Sequence, residues 1–275
     1  MLELPEALAR ARELNAALAD RTIEDVLPPA SPRKFCWFSA PVEEYSQRLK
    51  GRAFVHTEGF GIFTEMNFGG EFLCFNDGAS PRLIAPEEER PANAQMTIEF
   101  TDGAALAFSV TMYGGIYLHS GDWDNEYYRA SRDRISPLSD AFTAEYLQTL
   151  IRAAKSSLSV KALLATEQRI PGLGNGVLQD VLFDACIHPK RKAASLSADE
   201  VAALHRSIQT VLAAMAEAGG RDTERDIHGR PGGYRMKMGK SALSAGCPVC
   251  GGPVSKETYL GGAVTFCPSC QPLSK

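Results

Sequence analysis

The chain contains 275 residues, of which 44% are hydrophobic and 23% are charged, a composition typical of a globular protein with a substantial core. No apolar stretch approaches the length of a membrane span and the charged start does not resemble a signal peptide, so we expect a cytoplasmic protein without a membrane partner. The net charge of −4 is unevenly distributed, since residues 1–150 carry 13 Lys and Arg against 23 Asp and Glu, and residues 151–275 carry 16 against 10.

The first part of the chain is predicted to be a helix followed by β-structure. Residues Glu3–Asp20 place leucines and alanines at helical spacing, with Pro5 in the first turn, where proline is tolerated. Short β-type runs follow, and the clearest are Ala53–His56, Gly61–Asn67, Glu71–Asn76, Met96–Phe100 and Ala105–Met112. Asn76–Gly78 and Thr101–Gly103 have the composition of hairpin turns. We therefore expect a β-sandwich or flattened barrel with the first helix packed against it.

The second part of the chain is predicted to be helical and begins near Ile135–Ser139. The predicted helices are Asp140–Ala154, Val177–Ile187 and a third that begins after Ser197 and ends at Gly219-Gly220. Ser197 and Glu200 have the spacing of a capping box. Residues 221–240 predict a flexible, basic connector. A polyanion would bind most easily to this basic half, although a solvated basic face explains the charge nearly as well.

Four cysteines near the end of the chain, Cys247, Cys250, Cys267 and Cys270, have the spacing of a metal site. Each C-x-x-C pair can direct two thiolates at one ion, and the 16 residues between the pairs suffice for a hairpin. The pattern predicts one structural Zn²⁺; two disulfides or two redox-active pairs are the alternative. The remaining cysteines, Cys36, Cys74 and Cys186, are expected to be buried packing residues.

A glycine-rich turn, Pro171–Gly176, lies between two predicted helices. Such a turn leaves backbone N–H groups uncovered at the start of the following helix, where the amides and the helix dipole can hold a phosphate. The side chain of Asn175 can add a donor. A simple corner between two helices explains the same turn, so its meaning depends on the residues around it.

Three separated motifs resemble the formamidopyrimidine-DNA glycosylase/endonuclease VIII family. Thr166–Arg191 is similar to its helix-two-turns-helix motif, the opening MLELPE to its MPELPE start, and Thr265–Gln271 to its C-terminal zinc hairpin. The resemblance covers essentially the whole chain and implies an α+β protein of three parts. These are an N-terminal helix and β-sandwich (1–135), a helix-two-turns-helix domain with a basic loop (136–240) and a zinc finger (241–275).

The resemblance also implies a partner and its contacts. Damaged double-stranded DNA would lie in the cleft between the first two parts of a monomer, which would associate with the nucleoid in a bacterium, and a base would be flipped out for excision. Lys161 and Asn175 match phosphate-holding positions of the family, and Gly172 and Gly174 belong to the same turn. The family's mobile loop over the flipped base corresponds to the segment that contains Arg230, Arg235, Lys237 and Lys240, some of which we expect to contact phosphate.

The family's nucleophile is the secondary amine of an N-terminal proline that removal of Met1 exposes. Leu2 stands at that position here, and a side chain this large predicts that Met1 is retained, which places an ordinary amine one residue away from the expected spot. Glu3 and Glu6 match two acids of the family's active site. Glu3 in a cleft could activate a water and release a base without a covalent intermediate, although both acids are equally typical of a helix N-terminus.

Other family positions that contact DNA are also replaced. Glu58 and Phe60 stand where a phosphate-binding lysine is expected, Gly262 stands where the zinc hairpin has an arginine, and Met112–Gly115 replaces a void-filling arginine and phenylalanine. Three functions stay open. The first is a DNA-repair glycosylase with altered, monofunctional chemistry, the second is a catalytically inactive binder of DNA or RNA, and the third is a zinc-dependent protein-interaction module.

Overall fold

Strands dominate the chain up to His119 and helices dominate from Glu126 to Glu217, which confirms the predicted α+β fold. The structure, a computed structural model, describes residues 1–273. The helices are α1 (Leu4–Leu18), α2 (Val42–Leu49), α3 (Glu126–Asp133), α4 (Ala144–Ala153), α5 (Val160–Ala165), α6 (Asn175–Asp184), α7 (Ala198–Glu217) and α8 (Ala242–Ala245). The strands are β1 (Ile23–Leu27), β2 (Cys36–Phe38), β3 (His56–Phe60), β4 (Phe63–Asn67), β5 (Phe72–Ile84), β6 (Met96–Phe100), β7 (Ala105–His119), β8 (Ser255–Tyr259) and β9 (Gly262–Phe266). Among the described residues, no helix is both long and apolar enough to cross a bilayer.

Seven strands form one hydrogen-bonded sheet in the order β1-β6-β7-β5-β4-β3, with β2 paired in parallel to β7 and all other neighbours antiparallel. An irregularity between Asp77 and Ala79 interrupts the β5–β7 ladder. On one side of this irregularity, β4 pairs with the first half of β5, and β3 pairs with β4. On the other side, β6 pairs with the first part of β7, and β1 pairs with β6. Both halves contribute to one core, in which the rings of Phe75 and Phe108 lie 5.4 Å apart. This arrangement agrees with the predicted sandwich.

One of the two predicted hairpin turns is wrong. Thr101–Gly103 connects β6 to β7 as expected, whereas Asn76–Gly78 lies inside the long strand β5. Asp77 has a φ of +53°, and a Cβ added to Gly78 would overlap the carbonyl oxygen of Thr111. A bulge, like a turn, needs residues that adopt left-handed backbone and let two backbone segments approach closely. The same residue types therefore mark both features.

Helix α1 lies between the sheet and the helical part of the chain. Leu14 and Leu18 are fully buried in the core of the sheet, while Leu4 belongs to the core that α4–α7 enclose. Arg12 donates a hydrogen bond to the carbonyl of Ala216, near the C-terminal end of α7, where a cation is favourable. One helix therefore contributes to both cores.

Short polar side chains begin three of the helices in the second part. Thr143, Ser159 and Ser197 each accept a hydrogen bond from a backbone N–H three residues further on. The capping box between Ser197 and Glu200 is confirmed. Gly219, with a φ of +80°, follows the C-terminal end of α7 and supplies the left-handed residue that commonly ends a helix.

Buried glutamines fix the C-terminal hairpin, β8–β9, against the helical part. Gln179 of α6 donates to the carbonyl of Ala263 at 3.0 Å and accepts from the N–H of Thr265 at 2.8 Å. Gln271 donates to the carbonyl of Ile187 at 2.9 Å and is fully buried. Since a buried amide that loses its partners is costly, these bonds specify one position of the hairpin.

The strand-rich and helical parts approach closely at Gly172. Its carbonyl accepts a hydrogen bond from the N–H of Leu4 at 2.9 Å, and its φ is +73°. A Cβ added to Gly172 would overlap the carbonyl oxygen of Gly61 and would lie 2.6 Å from Cβ of Leu4. Both the backbone conformation and the available space therefore require glycine here.

The substitution Gly172→Ala is expected to destabilise the fold. The overlap with the Gly61 backbone adds to the left-handed strain, so urea denaturation should give a loss of more than about 2 kcal/mol in the free energy of unfolding. Gly69→Ala is the matched control, because Gly69 has a similar φ of +71° but an added Cβ would meet only the Arg52 side chain, at 3.8 Å. The control should lose about 1 kcal/mol, and equal losses would contradict tight packing at Gly172.

Candidate active site

The start of the chain is held against strand β5. The N–H of Leu2 donates to the carbonyl of Asp77 at 2.7 Å, and the Leu2 side chain is buried. The N-terminal ammonium of Met1 forms an ion pair with Glu224 at 2.9 Å, and the Met1 carbonyl accepts from Arg221 at 3.1 Å. The amine is therefore paired with a carboxylate at an exposed position.

A cavity of about 440 Å³ opens beside the chain start. Its lining comes from the N-terminus, the sheet, α3 and the helical part: Met1, Leu2, Glu3, Trp37, Ile62, Asn76, Asp77, Tyr113, Tyr117, Asn125, Tyr127, Ala165, Gln168, Gly174 and Asn175. The ring centroids of Trp37 and Tyr113 lie 6.2 Å apart. The two residues are 45% and 36% exposed, so aromatic surface faces the solvent here. The cavity thus joins the two large parts of the chain.

Glu3, the predicted catalytic acid, is buried and binds the start of helix α6. Its Oε1 accepts from the N–H of Gly176 at 2.8 Å, and its Oε2 accepts from the N–H of Val177 at 2.7 Å. Burial raises the pKa of Glu3, against the opposing charge of Arg221. The expectation that these amides are free to hold a phosphate is wrong, because an internal carboxylate occupies this helix N-terminus.

Glu6, the second predicted acid, forms a two-point ion pair with Arg221. The guanidinium donates from Nε to Oε1 at 2.9 Å and from Nη2 to Oε2 at 2.8 Å, and the Arg221 N–H also donates to Oε1 at 3.0 Å. Burial would raise the pKa of Glu6, but Arg221 outweighs it and holds the pKa below its usual value. Arg221 also lies 3.5 Å from Glu3, so one buried cation serves both acids.

The glycines of the turn make room for this cluster. A Cβ added to Gly174 would lie 2.5 Å from Oε1 of Glu3, and one added to Gly176 would overlap Nη1 of Arg221. The glycines are therefore explained by the approach of a carboxylate and a guanidinium. The sequence predicted neither the role of these glycines nor Arg221, which stands in the predicted basic connector without a distinguishing motif.

Two predicted phosphate-binding residues, Lys161 and Asn175, contact the C-terminal hairpin. Lys161 is buried, and its Nζ donates to the carbonyl of Tyr259. Burial lowers the pKa of Lys161. Asn175 donates to the carbonyl of Ala263 at 3.0 Å, and its side chain lies 3.2 Å from where a Cβ of Gly262 would stand. A larger residue at position 262 would therefore have to displace Asn175.

The basic residues predicted in the connector lie on its exposed surface. Arg230 pairs with Asp226 at 2.8 Å, Lys237 lies 3.8 Å from Asp184, and Arg235 is exposed. The connector is anchored below them by Asp180, a fully buried residue of α6 that accepts from the N–H groups of Lys237 and Met238 at 2.8 and 2.7 Å. Asp180 is a second structural residue that the sequence did not single out.

The four cysteine sulfurs converge at the base of the hairpin. Sγ atoms of Cys247, Cys250, Cys267 and Cys270 all lie within 4.8 Å of one another, with Cys247–Cys270 at 3.8 Å and Cys250–Cys267 at 3.5 Å. A tetrahedral zinc site with Zn–S bonds of about 2.3 Å separates its sulfurs by about 3.8 Å, whereas a disulfide needs about 2 Å. The geometry therefore fits a metal site and argues against disulfides.

The other cysteines differ in their environments. Cys74 is buried, as expected, whereas Cys36 is only half-buried and Cys186 is exposed. The expectation of a buried thiol at Cys186 is therefore wrong. Cys186 follows the end of α6 with a φ of +55° and lies in a turn.

Comparisons of sequence agree with this architecture. A family model described as the formamidopyrimidine-DNA glycosylase H2TH (helix-two-turns-helix) domain matches residues 135–226. A formamidopyrimidine-DNA glycosylase of Symbiobacterium thermophilum is 30% identical over 279 residues, which cover 99% of this chain and 90% of that relative. Another, of Cytobacillus firmus, is 31% identical over 193 residues, covering 69% of this chain and 70% of the relative.

Solved structures share the fold over nearly the whole chain. The crystal structure of the MutM (Fpg) protein from Thermus thermophilus has a TM-score of 0.82 at 26% identity and covers 99% of this chain and 100% of its own. The complex between Lactococcus lactis Fpg and DNA containing an abasic site has a TM-score of 0.85 at 24% identity, with 98% and 99% covered. From these relatives, and from the fold and motifs that it shares with them, the chain belongs to the formamidopyrimidine-DNA glycosylase family.

Proposed function

We propose that this protein is a DNA glycosylase that binds damaged double-stranded DNA, accepts a flipped base in the cavity at the chain start, and hydrolyses its N-glycosidic bond. The cavity is the observation that carries the proposal, since its volume of about 440 Å³ lies in the usual range for ligand sites and its walls join both parts of the chain. Lactococcus lactis relatives have been solved with DNA that contains an abasic site or formamidopyrimidine-guanine.

Exposed aromatic side chains support a nucleobase as the occupant. Trp37, Tyr113 and Tyr127 line the cavity and are 45%, 36% and 57% exposed. Stacking on such rings stabilises an unpaired base by about 1–3 kcal/mol, and every base offers a flat face for it. The cavity is therefore suited to a base that has left its stack.

The proposed chemistry uses water and not an imine. A Schiff base requires a free amine close to the sugar carbon, whereas the Met1 amine contacts Glu224 and stands one residue before the family's proline position. Glu3 and Glu6 belong to the proposed site, where they hold Arg221 and the start of α6 beneath the cavity. Base release would then leave an intact abasic strand with little or no strand cleavage.

For the DNA contacts we propose Arg230, Arg235 and Lys237 on the connector, together with Lys161 and Asn175 and the turn residues Gly172 and Gly174 at the base of the cleft. The connector residues are exposed and can reach phosphates directly. Lys161 and Asn175 each donate to a hairpin carbonyl, and each has a further N–H group that can donate to a phosphate. The +6 charge of residues 151–275 supports DNA on this side.

We propose Zn²⁺ as the ion of the four-cysteine site. Four thiolates in a closed set are typical of structural zinc, and no ligand position remains for a substrate. The ion would fix the hairpin whose strands contact Lys161, Asn175 and Gln179. Its role is therefore to support the DNA-binding surface.

A second candidate function, DNA binding without catalysis, is favoured by one observation. Both carboxylate oxygens of Glu3 accept hydrogen bonds from backbone amides, which leaves this residue poorly placed to activate water. Tight, salt-sensitive DNA binding with no base release from any damaged duplex would select this alternative.

Borohydride trapping tests the proposed chemistry. Duplexes that contain formamidopyrimidine-guanine are incubated with the full chain; we expect base release, detected as alkali-labile sites, and no covalent adduct after reduction. Intact-mass measurement should find Met1 retained. A relative with an N-terminal proline serves as the positive control for trapping. A trapped adduct of this chain would contradict hydrolysis without an imine.

Removing charge from the connector is expected to weaken DNA binding without changing stability. If Arg235 and Lys237 each contact one phosphate, the double variant Arg235→Ala/Lys237→Ala should lower the magnitude of the slope of log K against log salt by about 2. Fluorescence anisotropy with an abasic-analogue duplex measures this slope. Lys50→Ala, an exposed charge at the end of α2, is the control and should leave the slope unchanged. An unchanged slope in the double variant would remove these residues from the DNA interface.

Metal analysis tests the zinc proposal. We expect one zinc per chain, and Cys267→Ser should lose the ion and lower the melting temperature, because metal binding and folding of the hairpin are coupled. Cys186→Ser changes an exposed thiol outside the site. This variant should keep the bound ion and the wild-type melting temperature. Full stability of Cys267→Ser without bound metal would contradict a structural zinc.

A further inference from the structure

Asp77 occupies an unusual position in strand β5. It has a φ of +53°, in the left-handed region, at the irregularity that interrupts pairing between β5 and β7. Its carbonyl accepts the N–H of Leu2 at 2.7 Å, so the bulge lies directly against the chain start. Bulges commonly redirect a side chain near a functional site, and left-handed non-glycine residues cost free energy that the surrounding structure must offset.

Asp77 also lines two cavities. One is the cavity of about 440 Å³ described above, and the other, of about 400 Å³, lies beside the same chain start and is lined by Met1, Leu2, Glu6 and the connector residues Thr223–Arg225. The residue therefore stands where both spaces meet the N-terminus. A base in the first cavity would place its sugar near the chain start, and the second cavity provides space for water.

The carboxylate of Asp77 is free to take a proton. In the part of the chain that the structure describes, it makes neither a hydrogen bond nor an ion pair, whereas Glu3 is bound by two amides and Glu6 by Arg221. Burial raises the pKa of Asp77, against the attraction of the N-terminal ammonium of Met1. A carboxylate that is desolvated and without a partner is a stronger proton acceptor than one that is saturated with donors.

We propose that Asp77 is the general base of the reaction, an assignment that rests on the proposed glycosylase function. Its carboxylate removes a proton from a water molecule while the water oxygen bonds to C1′ of the damaged nucleotide. The C1′–N bond breaks, and its electron pair leaves with the base. The departing nitrogen then receives the proton that Asp77 took up, which regenerates the carboxylate. The products are the free base and an abasic sugar with a hydroxyl at C1′.

The substitution Asp77→Asn tests this role directly. Asparagine is nearly isosteric and tolerates a left-handed backbone well, so the bulge is expected to remain. Loss of a general base typically slows a reaction by about 10²–10⁴-fold. We expect single-turnover base release from a formamidopyrimidine-guanine duplex to fall by at least about 100-fold, while affinity for a duplex with a tetrahydrofuran abasic analogue stays within about threefold. Asp77→Glu should recover part of the rate, and Asp199→Asn, an exposed acid on α7, should match the wild type.

The outcomes separate the two proposals. A wild-type chain that releases base together with an Asp77→Asn variant of similar rate overturns the role of Asp77 alone. A slow variant whose affinity falls in parallel overturns it too, because Asp77 would then bind the substrate instead of activating water. A wild-type chain that binds DNA but releases no base overturns the glycosylase function, and the assignment of Asp77 with it. If the Asn variant does not fold, Asp77→Gly, which suits a φ of +53°, gives the same test.

Discussion

The ion cluster of Glu3, Glu6 and Arg221 is the constraint on which the rest of the site depends. Arg221 is buried with both acids, and burying one of these charges without its partners would cost several kcal/mol. The cluster therefore ties together the start of α1, the start of α6 and the segment after α7 in the folded state. Residues at a chain start are commonly frayed, but here they are among the most buried polar groups of the molecule. The position of Leu2 against β5 and the shape of the cavity follow from that.

The cluster also gives the glycine-rich turn a meaning that differs from the usual one. A glycine turn before a helix often presents free amides to a phosphate, and the helix dipole then contributes to ligand binding. In this protein the Glu3 carboxylate occupies the amides of Gly176 and Val177, so the dipole stabilises the fold. These two amides are therefore not available to a phosphate. The glycines remain necessary, since any side chain at Gly174 or Gly176 would meet Glu3 or Arg221.

Features formed by residues close together along the chain were predictable from the sequence, and features formed by residues far apart along the chain were not. Three features were predicted: the spacing of the cysteines, the capping box at Ser197 and the apolar period of α1. Each involves residues that lie within about one or two helical turns or one hairpin of each other, so its pattern is visible in the sequence. Helices α2 and α3 escaped prediction because each has only 8 residues, too short for a clear period. The contact between Glu6 and Arg221 spans 215 positions, and nothing local distinguishes Arg221 from its basic neighbours. Asp77 was assigned to a turn because bulges and turns use the same residue types.

The contacts of the C-terminal hairpin have a thermodynamic consequence. Lys161 and Asn175 already donate to the carbonyls of Tyr259 and Ala263. An ammonium has three N–H groups and a side-chain amide has two, so each residue can donate to a further acceptor without releasing its carbonyl. The hairpin therefore orients both side chains before any ligand arrives. An anion that bound them would not have to immobilise either side chain, which lowers the entropic cost of its binding.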